Sequence, residues 1–97
     1  MKCSEKSDLE SISEIFKIIS QKNRLQIICL LNKKWELCVC KIIDTLNLKQ
    51  NLVSHHLNLL KNIWLLNTRR DGKNIFYSLD KKNYTMIQNN IKNIFNL

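Results

Sequence analysis

A mainly α domain closed by a single β-hairpin is what the sequence predicts, and three observations carry that prediction. The 97 residues contain one glycine and no proline, apolar residues recur at helical spacing over most of the chain, and an Asp71-Gly72 pair is flanked by strand formers. A β-sandwich or barrel needs many turn residues, which this chain lacks. The length allows one domain, residues 1–97, with residues 1–7 as a flexible N-terminal tail. A chain this short buries a modest share of its surface, so a partner subunit is expected.

Ser7 with Glu10 forms a capping-box pattern, and Leu9, Ile12, Ile15, Phe16 and Ile19 follow it, predicting a first helix over about residues 8–20. Asn23 can cap a second helix reaching about Asn32. Its apolar positions Leu25, Ile27, Ile28, Leu30 and Leu31 are dense enough to imply deep burial, with Cys29 read as core. Leu37, Ile42, Ile43 and Leu46 predict a third helix over about 37–46, and Asn47-Leu48 break it. A fourth helix from about Gln50 to Asn62 turns Val53, Leu57 and Leu60 inward and carries a polar face without acid. Strands over Leu65–Arg70 and Lys73–Leu79 flank Asp71-Gly72, the signal for a tight type I′ turn. Asp80 can cap a last helix, residues 80–97, whose stripe Tyr84, Ile87, Ile91, Ile94 and Phe95 has no obvious partner within one chain. With Leu9, Ile12 and Phe16 that stripe predicts a two-fold dimer interface built from both chain ends.

The charge is asymmetric. Two lysines against four carboxylates leave residues 1–14 at −2, so the total of +8 places +10 on residues 15–97, a balance suited to a polyanion. No apolar run approaches the roughly 18–20 residues of a membrane span, and the first residues lack the apolar core of a signal peptide, so the expected location is the cytoplasm. No acid pair, nucleophile–base pair or phosphate-cradling glycine loop is recognisable, and an enzyme is not expected.

A short helix, a brief break and a second helix with a polar outer face form a helix-turn-helix, and the basic hairpin after it makes a winged helix. Lys49, Gln50, Asn51, Ser54 and His55 are the candidate DNA-reading residues, since amides in the first turn can pair bidentately with adenine. Adjacent helical positions diverge by about 100°, so His56 is read as a packing residue rather than a reader. Arg69, Arg70 and Lys73 at the hairpin tip suit a phosphate backbone or a minor groove. A solubilising hairpin edge uses the same residue types.

Cys38-Val39-Cys40 is the most specific chemical signal. Thiolates are soft ligands for thiophilic ions, and two in one segment make a chelate. In a reducing compartment the four cysteines read as thiols for metal or redox chemistry rather than as a disulfide framework. On a straight helix, positions i and i+2 point about 200° apart, so both sulfurs reach one ion only if the helix start unwinds. Such an ion usually takes three or four ligands, and Cys3 on the N-terminal tail can reach across a dimer to supply another.

With Asn23-Arg24-Leu25, Glu36-Leu37-Cys38-Val39-Cys40, Val53-Ser54-His55-His56-Leu57 and Arg69-Arg70-Asp71-Gly72-Lys73, the chain resembles the ArsR/SmtB family of metal-responsive winged-helix repressors over roughly residues 10–80. The resemblance implies a homodimer on a double-stranded DNA operator, released when As(III), Sb(III), Cd(II) or Pb(II) binds Cys38 and Cys40. It also marks departures. Arsenite sensors of one type carry a cysteine where Ile43 stands here, cadmium and lead sensors draw N-terminal cysteines from the partner subunit, a part open to Cys3, and the last helix lacks the family's zinc-binding histidines. Two other readings stay open from the residues alone: a redox-sensing repressor using the same thiols, and a constitutive nucleic-acid-binding winged helix with structural cysteines.

Overall fold

The computed structural model describes residues 6–95, and side chains from Leu9 onward. In chain order the elements are α1 (Lys6–Ile19), α2 (Lys22–Lys34), β1 (Glu36–Cys38), α3 (Val39–Leu46), α4 (Gln50–Asn62), β2 (Leu66–Asp71), β3 (Asn74–Leu79) and α5 (Lys81–Phe95). The winged helix-turn-helix expected from the sequence is the observed architecture, with one strand more than expected. Among the described residues no helix is long and apolar enough to cross a membrane.

Helix α1 starts about one turn before its first apolar residue, so Lys6 and Ser7, expected in the tail, are helical, and Ser7 is not the cap. The cap of α2 is Gln21 rather than Asn23: its Oε1 accepts the N–H groups of Asn23 at 2.7 Å and Arg24 at 3.1 Å. The apolar run of α2 is not buried throughout. Ile27 and Leu31 are buried, Leu25 is 47% exposed, and Cys29, expected in the core, is an exposed free thiol. A helix against one core turns one face to it, whatever the density of its apolar residues.

Strand β1 occupies residues where a helix was expected. Trp35 ends α2 at φ 73°, and the chain then runs extended against β3, pairing Glu36 with Ser78, Leu37 with Tyr77 and Cys38 with Phe76. Helix α3 starts only after this strand. It ends at Asn47, whose left-handed φ of 53° suits an asparagine C-cap, and α4 follows from Gln50.

The antiparallel sheet has the order β1-β3-β2. Asp71 pairs with Asn74, so the two-residue turn is Gly72-Lys73, one position later than expected. Gly72 has φ +63°, and positive φ at the first central position without one at Lys73 is the sign pattern of a II′ turn rather than I′. After Leu66 every residue of β2 is exposed, so the hairpin leaves the body as a wing.

Ile27 and Leu31, Ile42, Val53, Leu57 and Leu60, Leu65 and Leu66, Tyr77 and Leu79, and Ile87 form one core that seats α4 against α2, the sheet and α5. The C-terminal stripe is therefore partly used within the chain: Ile87 is buried, and Tyr84 and Ile91 pack against the same core. Helices α1 and α5 also line an apolar groove that includes Leu9, Phe16 and Ile94, and Met86 and Phe95 of α5 are exposed. Asp80 caps α5 as expected, its Oδ1 accepting the Asn83 N–H at 3.1 Å.

Helix α4 ends in a Schellman motif, the Leu65 N–H donating to the Leu60 carbonyl and the Trp64 N–H to the Lys61 carbonyl. The left-handed position falls on Trp64, at φ 65° and 76% exposed, so a bulky residue bears the strain with little burial in return. Trp64→Gly is expected to stabilise the domain by about 0.5–1 kcal/mol, the relief of left-handed strain less the added chain entropy of glycine. Thermal unfolding reads this as a midpoint several degrees higher, and a lower midpoint would mean that the indole contributes packing.

Candidate nucleic-acid interface and cysteine site

Helix α4 stands on Val53, Leu57 and Leu60, all fully buried, and this anchoring decides which residues face outward. Gln50, Asn51 and His55 are exposed and Ser54 is half-buried, while Lys49 is exposed at the N-cap. Gln50 and Ser54 lie one turn apart, as do Asn51 and His55, so the expected readers form two parallel rows at the helix start.

His56, one position on, is buried. Its Nδ1 accepts the Arg24 Nε–H at 3.1 Å, and Arg24 Nη1 also donates to the Ile18 carbonyl at 3.0 Å, which ties α4 to α2 and the end of α1. An Nδ1 that accepts leaves the neutral ring's proton on Nε2, which has no hydrogen-bond partner. Burial, then the positive charges of Arg24 and His55, hold the His56 pKa below its ordinary value. Below about pH 6.5 the unfolded chain therefore takes up a proton that the folded chain resists, and stability should fall as pH drops through this range toward the depressed folded value. Urea midpoints at pH 7.5 and 5.5 check this, and the difference should shrink in His56→Gln.

The wing cations differ in their surroundings. Arg70 and Lys73 are exposed. Arg69 reaches across β3, its guanidinium 4.6 Å from the centroid of the Phe76 ring, and grips Glu36 with two bonds, Nη2 to Oε1 at 2.8 Å and Nε to Oε2 at 3.1 Å. The Arg69 hydrogen bond lowers the Glu36 pKa, and Glu36 in turn raises that of Arg69. Arg69, expected to face DNA, is thus tethered to the strand that carries Cys38. Glu36 was legible as part of a motif but not as this partner, since it lies 33 positions away and two strands over.

Cys38 and Cys40 meet because Cys38 is not helical. It ends β1 in extended backbone (φ −71°, ψ 157°) and serves as the N-cap of α3, its Sγ accepting the Lys41 N–H at 3.3 Å, while Cys40 sits in the first turn. The junction supplies the unwinding that two sulfurs need to converge, and here they are joined as a disulfide. The expectation of free thiols is corrected to this extent: the two can pair with each other locally, and the dithiol is the reduced form. As ligands they fit a thiophilic ion with two of its three or four positions. Among the described residues no third histidine, cysteine or carboxylate joins them. Cys3 lies outside the described residues.

The sulfur pair opens on a cleft of about 470 Å³ between the start of α3, α4 and the wing. Gln50, Ser54 and Asn58 of α4 form one wall, and Lys73 of the turn and Asn74 at the start of β3 another. Burial raises the pKa of Tyr77, also on this cleft, keeping its phenol neutral. Asn58 and Asn74 were not singled out from the sequence, because sharing a cleft with Cys38 is a property of three elements brought together.

Residues 21–67 match the family model described as bacterial regulatory protein, arsR family. An HTH-type transcriptional regulator of Methanocaldococcus jannaschii is 42% identical over 74 residues, covering 75% of this chain and 83% of its own. The cadmium resistance transcriptional regulatory protein CadC of Listeria innocua is 41% identical over 72% of this chain, which spans 59% of that relative's length. The crystal structure of the transcriptional repressor PagR of Bacillus anthracis superposes with a TM-score of 0.70 at 34% identity, covering 87% of this chain and 97% of that one. With a family match on the helix-turn-helix and a relative matched over most of its length, the chain belongs to the arsR family of bacterial regulatory proteins, transcriptional regulators and not enzymes.

Proposed function

We propose that the protein is a cytoplasmic, homodimeric transcriptional repressor that a thiophilic ion releases from its operator. Lys49, Gln50, Asn51, Ser54 and His55 enter the major groove, with Arg70 and Lys73 on phosphates and Arg69 beside them, oriented by Glu36. As(III), Sb(III), Cd(II) or Pb(II) binds the reduced Cys38 and Cys40, with Cys3 as a further thiolate. The carrying observation is that Cys38, Cys40, Gln50, Ser54 and Lys73 line one cleft, so an ion on the sulfurs changes the support of both DNA-contacting elements. The 41% identity to a cadmium resistance regulator supports the choice of ion. The apolar groove of α1 and α5 supports the dimer, for which sedimentation should give twice the chain mass.

The test is duplex binding by the reduced protein with and without each ion. Gln50→Ala should relax sequence preference, each lost bidentate contact costing roughly 1–3 kcal/mol. Arg70→Ala should weaken all sequences alike and flatten the salt dependence. If neither substitution changes binding to any duplex, the reading of α4 and the wing fails. The disulfide favours a second reading, redox control by the same two sulfurs, which peroxide titration without metal separates from the first.

A further inference from the structure

The cleft beside the sulfur pair is far larger than an ion needs. About 470 Å³ compares with roughly 30 Å³ for one water in the liquid. Its walls are also selective. Among the described residues Lys73 is the one charged residue lining it, the α4 wall offers the neutral groups Gln50, Ser54 and Asn58, and no carboxylate or imidazole faces in. A soft ion on Cys38 and Cys40 therefore has an open side toward this space, without a third protein ligand among the described residues. With two protein sulfurs, an ion that takes three or four ligands keeps a position that faces the cleft.

We propose that this position is filled by a small thiol carrying a carboxylate, bound with the ion as a ternary complex: its sulfur on the ion, its carboxylate at Lys73. The inference rests on the ion-responsive reading above and names the co-ligand of that site. The thiol class also balances the chemistry. Two molecules of the thiol reduce the Cys38–Cys40 disulfide, leaving two protein thiols and one small disulfide. Cd(II) then exchanges water for three sulfurs as Cys38, Cys40 and the small thiol each lose a proton, with no change of oxidation state. The bound carboxylate lies at the lysine expected to meet a DNA phosphate, so the co-ligand competes for that contact and strengthens release.

The experiment uses the full chain, reduced with a phosphine that is then removed, one equivalent of Cd(II), and radiolabelled mercaptosuccinate or 2-mercaptoethanol in equilibrium dialysis. One mercaptosuccinate retained per chain is expected with Cd(II) and none without it. Uncharged 2-mercaptoethanol should bind at least about tenfold more weakly, the worth of one charge-assisted contact. Lys73→Ala should bring mercaptosuccinate down to the 2-mercaptoethanol level while Cd(II) stays bound. Cd(II) bound with mercaptosuccinate held no better than 2-mercaptoethanol, or held equally by Lys73→Ala, overturns the co-ligand and leaves the ion site standing. No Cd(II) bound by the reduced chain overturns both.

Discussion

Replacing Leu57 by alanine is expected to lower the free energy of unfolding by about 2–5 kcal/mol, the range for truncating a fully buried leucine. Leu57 is 0% exposed and belongs to the core that joins α4 to α2 and the sheet, so the loss combines apolar burial with a cavity under the recognition helix. Against the total of roughly 5–15 kcal/mol typical of natural domains, this removes a large part of the stability. Leu52→Ala on the same helix is the control. Leu52 is 38% exposed, and its truncation should cost less than about 1 kcal/mol. Urea unfolding under reducing conditions measures both. Equal costs would mean that α4 does not sit on the core as described.

Cys38→Ser should abolish ion-dependent release while leaving metal-free DNA binding nearly intact. In the parent protein a coupling of about 1–3 kcal/mol corresponds to a 5–150-fold change in DNA affinity, and in the variant the ratio should fall to about one. The substitution is a clean probe because Cys38 also caps α3. Its Sγ accepts the Lys41 N–H, and serine is a preferred N-cap residue, so the helix start is kept while the soft ligand is lost. Cys40→Ser should remove the response equally, since the local chelate that Cys38 and Cys40 form at the start of α3 is lost. Binding requires deprotonated thiols, so apparent ion affinity should rise with pH until the thiolates are formed. Fluorescence anisotropy of a labelled operator duplex reads all of these. Release that persists in Cys38→Ser would place the ion elsewhere, and a parent protein that responds to peroxide but to no ion would favour the redox reading.

Most of the helical frame is legible in the sequence, because its determinants are local. The spacing of Val53, Leu57 and Leu60 places α4 over Gln50–Asn62 as observed, and Asp80 marks the start of α5, since caps and a 3.6-residue period act within a few positions. Residue chemistry likewise singled out the cysteine pair, the amide-rich helix face and the basic hairpin tip, because softness, hydrogen-bonding capacity and charge belong to side chains wherever they sit. The geometry that joins them did not lie in the sequence. Three residues, Glu36–Cys38, have no period to detect and become β1 because β3 offers an unpaired edge. That pairing turns a helical C-x-C, whose sulfurs would diverge, into a junction where they meet. The turn moved to Gly72-Lys73 because cross-strand pairing sets the register, and Arg69 bends back to Glu36 because the sheet order brings residues 33 apart within reach. Cys29 is exposed and three of the five residues of the α5 stripe are covered because burial depends on which face meets the core, a question settled only when distant elements pack.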